Sequence, residues 1–193
     1  MPAILKQYAM GTELFNILLQ KNGFYAFESA LHVFPITQDP SDGVEGWNSM
    51  SLWRQEYEEL SEGFLFFGED VLQDQFCLAL KKPGVFRFIA ETGETELFAD
   101  SLEKWAERIL TDYEVETGWP LASEWQKNHG PLKPGQRLMP KIPFVTGGEY
   151  NLNNLWVGDA VEGMRFKGSI ARQIRDLPDG SSIRLNVAPK PPH

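Results

Sequence analysis

Between Gly63 and Leu110 the chain writes short apolar runs and then changes to a helical period. Phe64–Gly68, Gln75–Lys81, Val85–Ala90 and Glu96–Ala99 are aromatic and aliphatic stretches bounded by Gly, Pro, Asp or Glu, and they predict consecutive antiparallel strands. Glu91-Thr92-Gly93-Glu94 supplies a glycine where a tight reversal needs positive φ. Asp100 then stands at a predicted helix N-cap with Glu103 three residues later, and Leu102, Trp105, Ala106, Ile109 and Leu110 repeat on one helical face. A strand meander with an amphipathic helix packed back on it is an α+β architecture.

The flanking pattern is less regular. Glu13–Gln20 predicts a short helix carrying Leu14, Ile17 and Leu18, stopped by Asn22-Gly23. Phe24–Ile36 reads as one extended segment, Thr37–Gly46 as a polar loop, and Ser49 or Ser51 as the cap of a second helix with Leu52, Trp53, Tyr57 and Leu60. A further helical segment around Pro120–Lys127 carries Leu121 and Trp125. The stretch 130–149 is so dense in Pro and Gly that no regular element is expected in it. After this belt, Leu152–Gly158 predicts a strand, Ser169 a helix cap, and Ile183–Val187 a last strand before an irregular tail, 188–193. The expected organisation is an α+β domain over 1–129, the connecting belt, a small α/β extension over 150–187 docked on the first domain, and the tail.

The formal net charge of −9 over 193 residues argues against a nucleic-acid binder and for attraction of a basic partner. The single cysteine, Cys77, lies in an apolar strand pattern, so no internal disulfide is available. No secretory signal pattern and no run of membrane-spanning length occur, and cytoplasmic residence is the default expectation.

Chemistry is sparse. His32, His129 and His193 have no ligand spacing for zinc, no phosphate loop or nucleophile elbow is written, and no cofactor is expected. His32 reads as a structural histidine in an apolar run, and His129 as a helix C-terminal group. The abundant reactive groups are carboxylates at strand and helix ends. Glu58, Glu59, Glu62, Glu69, Asp70, Asp74, Glu91 and Glu94 are expected to form an exposed acidic rim that steers and holds a basic protein.

Lys21-Asn22-Gly23-Phe24 after an N-terminal helix, the run FLFFGED, the VFRF strand, the ETGE turn and ADSLEKWAERIL together resemble the SUKH superfamily of Smi/Knr-like proteins, over roughly Glu13 to Leu110. The resemblance implies a non-enzymatic binding scaffold, an antiparallel sheet flanked by helices. It further implies, for immunity members, binding and neutralisation of a cognate toxin such as a nuclease or other effector. The region 130–193 extends beyond the family's usual closing helix. The alternative is a small-ligand-binding protein or carboxylate-dependent enzyme, using Glu69, Asp70 and His32 in a cleft between the meander and the C-terminal extension. A homodimer is left open.

Overall fold

A computed structural model describes residues 1–178 together with Gly180 and Ser181. Helix α1 (Gly11–Gln20) buries Leu14 and Leu18 and stops before the Asn22-Gly23 turn. The segment expected to be one extended run is instead a hairpin, β1 (Phe24–Ala26) and β2 (Leu31–Val33). Its reversal places Phe27, Glu28 and Ser29 at φ of 51°, 50° and 66°. Three successive non-glycine residues in this region cost about 1 kcal/mol or more each, and no Gly or Asn marks the turn. Tertiary contacts hold it: Phe27 stacks on Tyr113, and Gln126 Nε2 donates to the Glu28 carbonyl.

The helix expected after Ser49 also forms differently. A short α2 (Gly43–Trp47) lies inside the predicted loop, and Arg54–Glu56 and Glu58–Ser61 are single 3₁₀ turns. Continuity fails at Glu58, which has φ of 51°. Trp53 and Tyr57 are both fully buried, and the Tyr57 hydroxyl donates to the Ala90 carbonyl. Asn48 replaces a strand neighbour, accepting from Phe66 N and donating to Phe66 O.

The meander is present as expected: β3 (Phe64–Asp70), β4 (Gln75–Ala79), β5 (Val85–Phe88) and β6 (Thr95–Ala99). With the first hairpin they make a six-stranded antiparallel sheet in sequence order, β1 to β6. Both faces are covered, so its central strands read as continuous apolar runs rather than alternating ones. Phe66 and Phe88 meet each other, and Trp53 and Tyr57 pack against them on one face. Phe67, Phe76 and Phe98 meet Trp105 or one another on the opposite face.

Trp105 belongs to α3 (Leu102–Thr111), which buries Leu102, Trp105 and Ile109. The cap is Ser101 rather than Asp100, its Oγ accepting from Lys104 N at 3.1 Å. Ser101→Ala is expected to cost about 1 kcal/mol, read as a lower urea midpoint with an unchanged slope, whereas Asp100→Ala should be nearly silent. A turn of helix, α4 (Tyr113–Thr117), then leads to α5 (Trp119–His129). Trp125 is buried and stacks on His129, whose Nδ1 lies 3.1 Å from the Trp125 carbonyl.

Beyond α5 the sequence reading needs most correction. Strand β7 (Gln136–Pro140) runs through the Pro/Gly-rich stretch, where no regular element was expected, and pairs antiparallel with β8 (Leu155–Asp159) as a hairpin. Five consecutive residues without glycine suffice for this edge pairing, and proline stands at the strand's end, where no donor is required. Helix α6 (Ala160–Ile174) starts at Asp159, whose Oδ1 accepts from Val161 N and Glu162 N; Ser169 lies inside it. Two glycines let α6 approach closely. A Cβ at Gly163 would sit 2.2 Å from Gln73 Oε1, and one at Gly168 would sit 2.8 Å from Glu56 Cβ and Tyr57 Cδ2. Ala160, Met164 and Ala171 thereby join the same core as the sheet. The expected strand Ile183–Val187 and the tail lie outside the described residues.

Candidate functional site

The placement of α6 and the β7–β8 hairpin decides what happens to the acidic rim. Glu58, Glu59, Glu62 and Glu94 are exposed and Asp74 is partly covered, but Glu69, Asp70 and Glu91 are buried. The expected exposure fails at those three because the ends of β3 and β5 lie beneath the C-terminal extension. Burial of carboxylates requires partners, and the extension supplies Arg137 and the Val145 N–H among them.

Glu69, 1% exposed, pairs with Arg137 of β7, which is fully buried, at 2.9 Å from Nε to Oε1. His32 Nδ1 lies 3.4 Å from the same oxygen, and Gln75 Nε2 donates to Oε2 at 3.3 Å. Burial by itself would raise the Glu69 carboxyl; the Arg137 charge and the His32 contact outweigh it and hold the group below its ordinary value. The Arg137 guanidinium also lies over Tyr25, which stacks on His32 at 4.0 Å. His32 is thus a packed member of a structural network. Gln75 continues the network, accepting from Trp47 Nε1 and donating to the Gln73 carbonyl, while Gln73 Nε2 donates to Ala160 O at the start of α6.

A second group of acids surrounds Lys167, a buried residue of α6 whose ammonium donates to the Leu72 carbonyl. Asp70 Oδ1 accepts from Leu72 N at 2.8 Å and Asp74 N at 3.0 Å, and Asp74 Oδ1 accepts from Ala90 N at 2.9 Å. Burial, followed by the charge of Asp74, pushes the Asp70 carboxyl up to about 8. Burial likewise raises Asp74 and Glu91, with Lys167 opposing in both cases. Glu91 Oε2 accepts from Val145 N at 2.8 Å, tying the sheet to the extension, whereas its Oε1 has no partner.

Asp74, Glu91 and Lys167 border a cleft of about 250 Å³ between sheet and extension. Asp74 and Glu91 form one wall, Lys167 closes it, and Phe144 and Tyr150 line the extension side. A neighbouring hollow of about 400 Å³ shares Thr92 and Val145 with it and reaches Leu60, Glu94 and Arg175. Glu58 pairs with Arg172 at 3.1 Å, and Glu59 pairs with Arg175, which lines this second hollow. Sequence reasoning missed Arg137, Lys167, Phe144 and Tyr150. Starting α6 at Asp159 would have exposed one signal, a lysine on the same helical face as Met164, Ile170 and Ala171.

Among the described residues no three His, Cys, Asp or Glu side chains converge as metal ligands. Burial pushes the Cys77 thiol well up, which leaves it unreactive inside the sheet.

The protein is thus of the α+β class, a six-stranded antiparallel sheet flanked by helices with the ends of its strands beneath a C-terminal extension. The profile of the SMI1 / KNR4 family (SUKH-1) matches residues 12–108, and the chain belongs to this family. Membership supports a toxin-immunity or Smi1/Knr4-like role in general terms, in a family that is generally non-catalytic and whose members commonly partner toxins. The chain is also similar to a solved structure, the crystal structure of Atu4351 from Agrobacterium tumefaciens. Identity is 13%, the TM-score is 0.53, and the likeness covers 82% of this chain and 75% of that chain, a similarity of fold. No curated protein matches the sequence. Among the described residues no helix is long and apolar enough to cross a membrane.

Proposed function

We propose that the protein is a non-enzymatic, cytoplasmic binding module that neutralises a cognate toxin, a nuclease or another secreted effector, by gripping a basic surface of it. The observation that carries this reading is the meeting of two acidic segments distant in sequence. The 3₁₀ turn Glu58–Ser61 lies against the Thr92–Glu94 turn, with Leu60 beside Gly93, and Glu94 lines the same hollow as Arg175, the partner of Glu59. Arg172 and Arg175 offset part of this charge through exposed ion pairs. Such pairs contribute about 0–1 kcal/mol and exchange readily for a partner's basic groups. Glu69, Asp70 and Glu91 lie beneath the surface and Asp74 at its edge, so the direct grip on a partner falls to the four exposed acids.

Binding to the cognate toxin, measured by stopped flow, is expected to show an association rate that falls about tenfold or more between low and physiological ionic strength. Reversing charge with Glu62→Lys and Glu94→Lys should slow association further and leave dissociation nearly unchanged. A rate indifferent to salt and to both reversals would remove the proposal. A second reading, small-ligand binding in the cleft between sheet and extension, is supported by the raised carboxylates that border it.

A further inference from the structure

The loop 141–154, which joins β7 to β8, is built more firmly than a connection requires. Asn154 Oδ1 accepts from Ile142 N at 2.9 Å, and its Nδ2 donates to the carbonyls of Ile142 and Glu149. Lys141 N donates to Asn154 O at 2.6 Å and closes the ends. Gly148 lies against the Ile142 carbonyl, where a Cβ would come within 1.9 Å. Phe144 and Tyr150 stack across the loop with ring centroids 3.9 Å apart, and Val145 N is held by Glu91 Oε2 of the sheet at 2.8 Å. Loops closed and packed on themselves in this way present their side chains in a fixed arrangement, which lowers the entropic cost of binding.

The apolar side chains of this loop nevertheless face water. Ile142 is 57% exposed, Val145 41% and Tyr150 68%. Single exposed hydrophobic residues are ordinary, but a group of them on one fixed loop marks an interaction site. Val145 and Tyr150 line the 250 Å³ cleft, whose apolar side is completed by Leu72, Ile89 and Phe144. Val145 also lines the 400 Å³ hollow, beside Leu60, Ile174 and the half-exposed Leu177. The two recesses share Val145 and Thr92, so the apolar surface runs on from one to the other.

The border of this surface is acidic. Glu94 is exposed in the hollow and has no ion-pair partner among the described residues, while Arg175 there is taken by Glu59. An apolar centre with a charged edge is the anatomy of a protein interface. The sign of the edge selects the partner: a surface with an apolar projection flanked by lysine or arginine is attracted, whereas a second copy of this chain would set acid against acid.

We propose that the 141–154 loop is the docking loop of this protein, with Tyr150 and Val145 as anchors against an apolar, lysine- or arginine-edged surface of a protein partner. The inference deepens the binding reading given above and rests on it, with the exposed acids steering the partner and the loop holding it.

The probe is a library of random peptides displayed on phage and selected against the full chain, with enriched peptides synthesised and titrated by fluorescence anisotropy. Enriched peptides are expected to combine aromatic or aliphatic residues with lysine or arginine. Tyr150→Ala and Val145→Ser should each weaken their binding about tenfold or more, as truncation of an interface anchor does. Tyr150→Phe, which keeps the ring, should bind as the wild type does, and so should Leu19→Ser, at an exposed leucine of α1 that lines neither recess. No enrichment, or peptides that bind the two loop variants as tightly as the wild type, overturns the proposal. Sedimentation of the wild type as a dimer that Tyr150→Ala dissociates would also overturn it, since the occupant would then be a second copy. In the complex with the cognate toxin, the two loop variants should speed dissociation about tenfold or more and leave association nearly unchanged, the reverse of Glu62→Lys and Glu94→Lys. A complex indifferent to both loop variants overturns the docking loop and leaves the toxin reading intact. Failure of any toxin complex to form counts against the toxin reading, and the peptide result then decides the loop by itself.

Discussion

Replacing Arg137 with leucine is expected to destabilise the protein by about 3–5 kcal/mol, the cost of leaving a buried charge unpaired. Arg137 is fully buried and its closest carboxylate is Glu69, 1% exposed, so solvent screens neither. In the wild type the Glu69 carboxyl is held below its ordinary value, and its contribution is present at neutral pH and lost as pH falls through the folded value. Without Arg137 the sign reverses. Burial then raises the carboxyl, and the variant should lose further stability as pH rises from acid towards neutral. Glu69→Gln in the Arg137→Leu background should recover most of the loss, since the amide retains hydrogen-bonding capacity towards Gln75 and carries no charge. Urea denaturation of both single variants and the double variant completes the cycle. A single-variant loss below about 1 kcal/mol would mean that the pair has little weight in the fold.

That ion pair also explains why the site was less legible than the fold. The meander and α3 could be read directly, because strand runs and helical period are local signals and both faces of the sheet demand apolar residues. Helix boundaries shifted by small amounts, as at Ser101, where two adjacent residues could each cap. The reversal at Phe27–Ser29 could not be read, because three side chains occupy left-handed backbone that only tertiary contacts hold. The acids were legible as residues but not as surface. FLFFGED resembles a strand with acids at its exposed end, and whether Glu69 and Asp70 reach water depends on a hairpin nearly seventy residues later in the chain.

The same basic residues of the extension give the acidic flank its form. Arg137 meets Glu69, Lys167 lies among Asp70, Asp74 and Glu91, and Arg172 and Arg175 meet Glu58 and Glu59. The family match ends at residue 108, before any of these cations. A segment of family length would therefore present the acids with fewer counter-charges, whereas this chain covers the deep ones and leaves the outer ones in exchangeable surface pairs. Partner selection on this flank then depends on the outer acids and on the cleft, with the extension setting how much negative charge is displayed.

Asp70→Asn is expected to raise stability at alkaline pH and to flatten the pH profile of unfolding. The wild-type carboxyl is pushed up to about 8 by burial and by Asp74, against an ordinary value of 3.8. The folded state therefore binds the proton more tightly than the unfolded chain, and stability falls as pH rises from about 4 to about 8. Below that window the group is neutral in both states, so the variant and wild type should agree closely. Above it, wild type holds a charge where the protein favours none, and the variant should be more stable by an amount on the order of a few kcal/mol. Asparagine retains the oxygen that accepts from Leu72 N and Asp74 N, so the turn survives the change. Asp70 and Asp74 titrate as a pair, and part of the slope should remain because burial raises the Asp74 carboxyl in its own right. Urea denaturation at pH 5, 7 and 9 separates the outcomes. Parallel profiles for the two proteins would show that Asp70 is ionised throughout, which would require the positive charges of Arg87 and Lys167 to outweigh both its burial and Asp74.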